Sequence, residues 1–248
     1  MKISIITVCY NSEKTIRNTL ESVASQTYDD LEYIVIDGGS SDSTLDIINN
    51  YTDKIAIIKS EKDDGLYDAI NKGIACSTGD VVGIINSDDV FYNKDVVSNV
   101  AEIFRSSIDL DAIIGNIVQE DHTGRILRKY MSNNWRPSKL KQGFMPPHPS
   151  IFMYRKLFDA YGGYSLDYKI GADYELIIRY FLIHKIKWKY SGLITHRMLV
   201  GGISSSGWRS YKRISKEIIK ALKSNGLKFH PLRIHFRFVD KLIERVFV

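Results

Sequence analysis

The chain has 248 residues, of which 44% are hydrophobic and 25% are charged. This composition is typical of a globular protein, and the length suits one large α/β domain or one domain with an appended tail. No apolar run is long enough to cross a bilayer and residues 1–4 lead directly into a strand, so we expect neither a transmembrane segment nor a signal peptide. Two cysteines are too few for a disulfide framework, which favours the reducing cytoplasm as the location.

The charge is unevenly distributed along the chain. The net charge is +5, but residues 201–248 contain eleven lysines and arginines against three acidic residues, whereas residues 1–200 contain 23 against 26. A basic tail on a near-neutral body predicts contact with an anionic partner, either a lipid surface or a nucleic acid.

The first part of the chain alternates between strand and helix patterns. Apolar, β-branched runs predict strands at residues 3–10, 31–36, 55–58 and 81–85. Apolar residues at helical spacing predict three intervening helices, around residues 16–23, 45–51 and 66–74. This β-α-β-α-β-α-β order predicts an α/β fold, with a Rossmann-like, mostly parallel sheet and helices on both of its faces.

The fourth predicted strand ends in a polar cluster, Asn86, Ser87, Asp88 and Asp89. Ligands of open α/β sheets bind outside the carboxyl ends of the strands. Adjacent carboxylates repel each other and therefore favour a bound cation, and oxygen ligands on a loop suit Mg²⁺ or Mn²⁺ shared with a phosphate. The alternative is a strand-to-helix turn in which an aspartate serves only as a cap.

Two more strands end in polar residues that would meet this cluster at one edge of the sheet. Residues 7–11 end the first strand, and Asp37 and Asp42 follow the second. A capping role alone does not predict this convergence. The first strand is followed neither by G-x-G-x-x-G nor by a Walker lysine loop, which disfavours dinucleotide and P-loop binding.

The second half of the chain alternates less regularly. We predict helices at residues 96–104 and 176–183 and strands at residues 112–118, 125–130, 151–154 and 186–190. A proline-rich loop at residues 143–149 contains His148, and the glycine- and serine-rich residues 201–207 predict a flexible loop.

Two amphipathic helices are predicted at the end of the chain, at residues 211–222 and 232–246. The second has basic residues four apart on one face: Arg233, Arg237, Lys241 and Arg245. Such a helix can lie on an anionic membrane, or it can pack on the body with its basic face in solvent.

Taken together, these motifs resemble the family 2 inverting glycosyltransferases, which have the GT-A fold. The matching segments are residues 4–11, 37–44, 64–73, 86–89 and 171–176, in the family's order.

The resemblance divides the chain into a glycosyltransferase domain at residues 1–205 and a basic helical extension at residues 206–248. Within the domain, residues 1–92 would bind the nucleotide and residues 93–205 the acceptor.

The resemblance implies a nucleotide-sugar donor, with Asp37 accepting the imide N–H of a uracil. It implies a divalent cation, Mn²⁺ or Mg²⁺, on the diphosphate, with Asp89 as the principal ligand and Asp88 coordinating or orienting beside it. The residues expected to bind the donor are Thr7, Cys9, Tyr10, Asn11, Asp37, Asp64, Gly65, Tyr67, Asn71, Lys72 and Asp88.

Asp173 is implied to be the general base, because an inverting transfer needs a carboxylate that takes the proton of the attacking hydroxyl. The alternative for Asp173 is a helix cap. His148 would shape the acceptor side, and His196, Trp208 and Arg209 would close over the diphosphate.

Three positions depart from the family pattern. Ile70 stands where many members have an arginine, so Lys72 or Arg209 would have to hold the phosphates. Asn86 replaces a common aspartate, which leaves fewer carboxylates for the cation. Ala172 replaces the acid that often precedes the base.

We therefore expect the enzyme to transfer one sugar from a UDP-sugar donor. The acceptor would be a hydroxyl of a surface glycan that grows on a lipid diphosphate. The Gln-x-x-Arg-Trp element of processive synthases is absent, which favours a single addition. The enzyme would work in the cytoplasm or at the inner face of the plasma membrane, where the basic tail would contact the lipid. The alternatives are a sugar nucleotidyltransferase and a catalytically inactive nucleotide-sugar-binding partner; a nucleic-acid partner is disfavoured because the tail has no readout motif.

Overall fold

The computed structural model describes residues 1–121, 123–199 and 207–235, with residues 207–210 as backbone only. The strands are β1 (Ile3–Cys9), β2 (Leu31–Asp37), β3 (Ile57–Ser60), β4 (Val81–Asn86), β5 (Asp89–Phe91), β6 (Ala112–Glu120), β7 (Ile126–Tyr130), β8 (Ile151–Tyr154) and β9 (Trp188–Leu199). The α-helices are α1 (Ile16–Ala24), α2 (Thr44–Asn49), α3 (Leu66–Cys76), α4 (Val96–Ser106), α5 (Lys156–Tyr161), α6 (Ala172–Ile178) and α7 (Gly207–Ser224).

The strands form one sheet in the order β3-β2-β1-β4-β8-β6-β9-β5, with β7 paired to β6. Strands β3, β2, β1 and β4 are all parallel, which confirms the α/β fold predicted for the first half. Beyond β4 the pairing is mixed, because β8 is antiparallel to both β4 and β6 while β9 is parallel to β6.

Helices cover both faces of the sheet, as predicted. One apolar cluster joins one face to α1, α2 and α4, and a second joins the other face to α3, α5, α6 and α7. Strands β1 and β4 lie in the middle of the sheet and contribute to both clusters, which is why their sequences are apolar without alternation.

The second half departs from the predicted boundaries in three places. Strand β5 and helix α5 were not predicted, since three and six residues are too short to produce a periodic pattern. Strand β9 runs to Leu199, well past the predicted end at residue 190. Its outer part has no polar–apolar alternation that would predict a strand, and it is held by pairing with β5 and β6. The helix predicted from residue 176 begins at Ala172 and continues as a π-turn over Arg179–Ile183.

The first tail helix, α7, packs on the body of the protein. Ile218, Ala221 and Leu222 are buried in the same apolar cluster as α6. Ile234, in the short helical turn that follows, is buried there too. The remainder of the second predicted tail helix, residues 236–246, lies outside the described residues, as do residues 201–206 of the predicted loop. Within the described part of the chain, every helix is too short or too polar to span a bilayer.

Candidate active site

The carboxyl ends of four parallel strands lie side by side at one edge of the sheet. Cys9 at the end of β1 is in register with Asp37 at the end of β2, and Asp37 is in register with Ser60 at the end of β3. On the other side of β1, Val8 is in register with Asn86 at the end of β4. The predicted convergence of the polar clusters is therefore present in the fold.

The carboxylate of Asp37 holds the turn after β2. Oδ2 accepts from the N–H of Gly39 at 3.1 Å, from the N–H of Ser40 at 3.0 Å and from Oγ of Ser60 at 2.7 Å. Oδ1 accepts from Oγ of Ser40 at 2.5 Å. Burial alone would raise the pKa of this carboxyl, but the bonds from Ser40 and Ser60 outweigh it, so the pKa is lowered. Asp37 is fully buried, and a direct contact with uracil, which stays a prediction, would have to displace the Ser40 hydroxyl.

The loops after β1, β2 and β4 are bound to one another. Asn11 has a positive φ of 47°, and its Oδ1 accepts from the N–H of Ser41 at 2.9 Å. Oγ of Ser12 lies 2.9 Å from Oγ of Ser87, in the loop after β4. The Asn11 side chain is thus engaged in loop structure, and it joins the first strand end to the second.

Asp88 and Asp89 lie at the end of β4 as the sequence predicts, but they differ in exposure. Asp89 opens β5, is 1% exposed and accepts from Nδ2 of Asn86 at 3.0 Å. Asp88 is partly exposed. Burial, reinforced by the charge of Asp88, raises the pKa of Asp89 to about 8, and burial also raises the pKa of Asp88.

This pair fits a hard divalent cation in the chemistry of its donors. Two adjacent carboxylates are desolvated, and Asn86 is the hydrogen-bond donor that opposes the rise in the pKa of Asp89. Within the residues that the structure describes, no third His, Cys, Asp or Glu completes a cation site. Mg²⁺ and Mn²⁺ commonly take one or two carboxylates and fill the other positions with water and substrate phosphate oxygens.

The residues of β1 that were predicted to frame the base divide into two groups. Thr7 and Cys9 are buried in the sheet, where Oγ1 of Thr7 lies 2.9 Å from the hydroxyl of Tyr33. Burial, followed by the nearby charge of Asp37, raises the pKa of the Cys9 thiol, so it stays protonated. Tyr10, in contrast, is 63% exposed at the end of β1, which leaves its ring available to a ligand.

The start of α3 lies beside the Asp37 turn. A Cβ atom on Gly38 would lie 2.4 Å from Oδ2 of Asp63, so a larger residue at position 38 would require the Asp63 side chain to move. Asp64 and Gly65 are exposed at the entrance of α3, and Gly65 has a φ of 110°. Lys72 is farther along α3 and is ion-paired with Glu61 and Asp68 at 3.1 and 3.0 Å. Its ammonium group is therefore already neutralised by carboxylates, which argues against a role in gripping the diphosphate.

Asp173 lies in the first turn of α6 and contacts α3 through Tyr67. The hydroxyl of Tyr67 donates to the carbonyl of Ile170 at 2.5 Å and to Oδ1 of Asp173 at 3.3 Å. Burial raises the pKa of Asp173 to about 6, against the opposing bonds from the N–H of Tyr174 and the Tyr67 hydroxyl. At neutral pH this carboxylate is ionised and more basic than an ordinary aspartate.

A row of aromatic side chains connects Asp173 to His148. Tyr164 stacks on Tyr67 with ring centroids 5.7 Å apart, and its hydroxyl lies 2.6 Å from Nε2 of His148. Burial lowers the pKa of His148 to about 4, so the imidazole is neutral. Asn71 holds the backbone of Tyr164 through two hydrogen bonds of 2.8 Å. Tyr67 and Asn71, predicted to bind the donor, therefore support the Asp173 side of the site.

The three residues expected to close over the diphosphate are placed differently. His196 is fully buried in β9 between Phe91 and Phe152, with Nδ1 2.8 Å from Oγ1 of Thr195. Its Nε2 has no hydrogen-bond partner among the residues that the structure describes. The side chains of Trp208 and Arg209 lie outside the described residues.

Three residues with evident roles at the site were not singled out from the sequence. Ser60 binds Asp37, Tyr164 binds His148, and Glu217 of α7 accepts from the N–H groups of Ile170 and Gly171. Each contact joins residues separated by at least 16 positions in sequence, and by 47 for Glu217 and Ile170, and so leaves no local signal.

The sequence matches known proteins along its whole length. The profile of glycosyl transferase family 2 matches residues 4–161. The chain is 29% identical over 249 residues to a PGL/p-HBAD biosynthesis glycosyltransferase of Mycobacterium tuberculosis, covering 99% of this chain and 93% of the relative. It is 28% identical over 252 residues to the Escherichia coli UDP-Glc:alpha-D-GlcNAc-diphosphoundecaprenol beta-1,3-glucosyltransferase WfaP, covering 99% of this chain and 96% of WfaP.

Solved structures share the fold at lower identity. S. aureus TarS 1–349 in complex with UDP-GlcNAc superposes with a TM-score of 0.72 at 20% identity, covering 96% of this chain and 72% of TarS. The mannosyltransferase PcManGT of Pyrobaculum calidifontis, in complex with GDP-Man and Mn²⁺, gives a TM-score of 0.65 at 17% identity, covering 94% and 67%. With the family profile spanning the strand ends and the α3 entrance, and the GT-A fold common to the solved structures, this chain is a glycosyltransferase of family 2.

Proposed function

We propose that this glycosyltransferase moves one sugar, with inversion, from a UDP-sugar to a hydroxyl of a lipid-linked glycan, with Asp173 as the general base. The observation that carries this proposal is the environment of Asp173. It is a partly buried carboxylate whose pKa is raised by desolvation to about 6, and it is held by Tyr67 next to the entrance of α3. That entrance packs against the Asp37 turn at the carboxyl edge of the sheet.

The donor would bind across the ends of β1, β2 and β4, with its base beside the exposed ring of Tyr10. Support for UDP comes from two proteins: TarS is similar in fold and was solved with UDP-GlcNAc, and WfaP is similar in sequence and uses UDP-Glc.

Asp88 would hold the cation, since it is the more exposed of the two carboxylates at the end of β4. Asp89, which is almost fully buried and bound by Asn86, would lie behind it and add negative charge when the cation displaces its proton. A bound Mg²⁺ or Mn²⁺ would neutralise charge on the diphosphate as the leaving group departs. Cation binding also offsets the desolvation of the two carboxylates, and PcManGT, which has a similar fold, was solved with Mn²⁺.

The reaction would be a single displacement at the anomeric carbon. The acceptor oxygen forms the new bond to this carbon while the bond from the carbon to the diphosphate oxygen breaks, and the nucleoside diphosphate leaves. The acceptor proton passes to the Asp173 carboxylate. His148 and Tyr164 would shape the acceptor side as a neutral pair, since burial keeps the pKa of His148 at about 4.

A lipid-linked acceptor is favoured by similarity to WfaP, whose acceptor is a GlcNAc-diphosphoundecaprenol. The basic segment at residues 232–246 would then contact the anionic membrane that holds the carrier lipid. Vesicle flotation should show weaker binding for a chain ending at Lys228 than for the full chain; equal flotation of the two would exclude this contact.

The test of the base compares Asp173→Asn with wild type. A panel of nucleotide sugars, screened by thermal shift with Mn²⁺ present, identifies the donor, and transfer is then measured with a lipid-linked acceptor. The variant should lose about 10²-fold or more in kcat and bind UDP as wild type does. The wild-type kcat should fall with acidity through about pH 6, the pKa of Asp173.

Two results would favour the alternative functions. Binding of UDP-sugars without transfer to any acceptor indicates an inactive binding partner, and formation of UDP-sugar from UTP and a sugar phosphate indicates a nucleotidyltransferase. Full activity of Asp173→Asn would remove Asp173 as the base.

A further inference from the structure

Helix α7, in the C-terminal extension, places a carboxylate against the segment that leads to Asp173. Oε2 of Glu217 accepts from the N–H of Gly171 at 2.7 Å and from the N–H of Ile170 at 2.9 Å, and Oε1 accepts from the N–H of Lys169 at 3.3 Å. One side chain therefore holds three consecutive peptide groups immediately before α6.

The fit between Glu217 and this segment is close. A Cβ atom on Gly171 would lie 3.1 Å from Cβ and 3.2 Å from Oε2 of Glu217, although φ at Gly171 is negative and suits any residue. The glycine thus serves to admit Glu217, not to permit an unusual backbone conformation.

Two other residues of α7 hold the same segment. Nζ of Lys220 donates to the carbonyl of Asp167 at 2.8 Å. The hydroxyls of Ser224 and Tyr168 lie 3.1 Å apart. The extension is therefore attached at both ends of the stretch that precedes α6.

The backbone of Ile170 is held from two directions. Its N–H donates to Glu217, and its carbonyl accepts from the hydroxyl of Tyr67, the same hydroxyl that donates to Asp173. Loss of Glu217 would leave the backbone N–H of Ile170 without this hydrogen bond. The segment could then shift and loosen the contact between Tyr67 and Asp173.

We propose that Glu217 is a positioning residue for Asp173, so that the C-terminal extension completes the catalytic site. This inference rests on the proposed role of Asp173 as the base.

Electrostatics supports the assignment. The titratable groups that face Asp173 are Tyr67 from α3, Tyr164 from the preceding loop and Glu217 from α7. Burial is the main cause of the raised pKa of Asp173, and the negative charge of Glu217 raises it further. Removing that charge should therefore lower the pKa of Asp173.

The experiment uses the full chain and three substitutions: Glu217→Gln, Glu217→Ala and, as a control, Glu102→Gln. The control makes the same chemical change at an exposed site on α4. The first measurement is kcat against pH, with the donor identified by the thermal-shift panel and a lipid-linked acceptor. The others are the Kd for UDP and the thermal midpoint.

We expect kcat to fall about 10- to 100-fold in Glu217→Ala, as reacting groups lose alignment, and less in Glu217→Gln, whose amide oxygen still accepts hydrogen bonds. The Kd for UDP should be unchanged. The acid limb of the kcat profile should move to lower pH in Glu217→Gln. Glu102→Gln should match wild type throughout.

Two results would overturn the proposal. The first is a kcat within twofold of wild type in both Glu217 variants while Asp173→Asn is inactive; the proposed function would then stand without Glu217. The second is a fall in kcat with an unmoved acid limb and a weaker UDP Kd, which indicates general loss of structure. If Asp173→Asn and both Glu217 variants are all fully active, the proposed function fails and this inference fails with it. Should Glu217→Ala not fold, Glu217→Gln decides.

Discussion

The hydroxyl of Tyr67 lies 3.3 Å from Oδ1 of Asp173, a residue 106 positions later in the sequence. Tyr67 belongs to the first turn of α3, which follows the carboxyl end of β3, and Asp173 belongs to the first turn of α6. This contact connects the first half of the chain to the second at the candidate site.

Tyr67→Phe tests that connection. The Tyr67 hydroxyl lowers the pKa of Asp173, so its removal should raise this pKa and move the acid limb of kcat to higher pH. This is the opposite direction to Glu217→Gln. We also expect a fall in kcat of about tenfold, since a hydrogen bond to a charged group contributes about 1.5–3 kcal/mol.

A matched control for Tyr67→Phe is Tyr51→Phe, which removes a hydroxyl bound to Glu21 at the surface, 2.9 Å away. The control should leave kcat and its pH profile unchanged. An acid limb that stays in place in Tyr67→Phe would mean that the hydroxyl does not act on the base.

The carboxylates at the end of β4 predict a pH-dependent response to divalent cations. The pKa of Asp89 is raised from 3.8 to about 8 in the folded protein, so between these values the folded state binds more protons than the unfolded state. Stability without a cation should therefore fall as pH rises through this window. Mn²⁺, which competes with the proton, should raise the thermal midpoint more at pH 8 than at pH 6.

Asp89→Asn and Asp88→Asn each remove one charge of the pair and keep a side chain of nearly the same size. They therefore test the effect of the charge on stability and on Mn²⁺ binding. Without a cation, Asp89→Asn should raise the thermal midpoint at pH 8, because the desolvated charge is gone. Both variants should lose the stabilisation by Mn²⁺, whereas Asp29→Asn, at an exposed site, should keep it. Equal stabilisation by Mn²⁺ in all four proteins would place the cation elsewhere.

The exposed ring of Tyr10 predicts a contribution to donor affinity. Stacking between an aromatic side chain and a base contributes about 1–3 kcal/mol, so Tyr10→Ala should weaken UDP binding at least about fivefold, as measured by calorimetry. Tyr10→Phe keeps the ring and should bind nearly as wild type does. Ile108→Ala, at a 98% exposed apolar side chain, serves as the control. If Tyr10→Ala leaves the Kd for UDP unchanged, the nucleobase does not bind beside Tyr10.

The sequence predicted the first half of the fold well, because each of its elements has its own pattern. Strands β1 and β4 are rich in buried β-branched residues, and the helices between them have regular spacing. The positions of Asp37, Asp88 and Asp89 follow from these strands, since the carboxyl ends of parallel strands share one edge.

The sequence did not predict how the side chains near those ends are used. The spacing of Lys72 and Asp68 is that of an i, i+4 ion pair, which could have been recognised, but the additional bond to Glu61 depends on the path of β3. The burial of Asp89 depends on the three residues of β5 and their pairing with β9. Glu217 was invisible because its partners become neighbours only when α7 packs on α6.

The turn around Asp37 is fully hydrogen-bonded in the protein alone. A ligand that settles on a rigid surface loses its own freedom but imposes little ordering on the chain beneath it. Selectivity at this edge would then depend on shape: a nucleobase would bind if it fits the surface that the folded chain already presents.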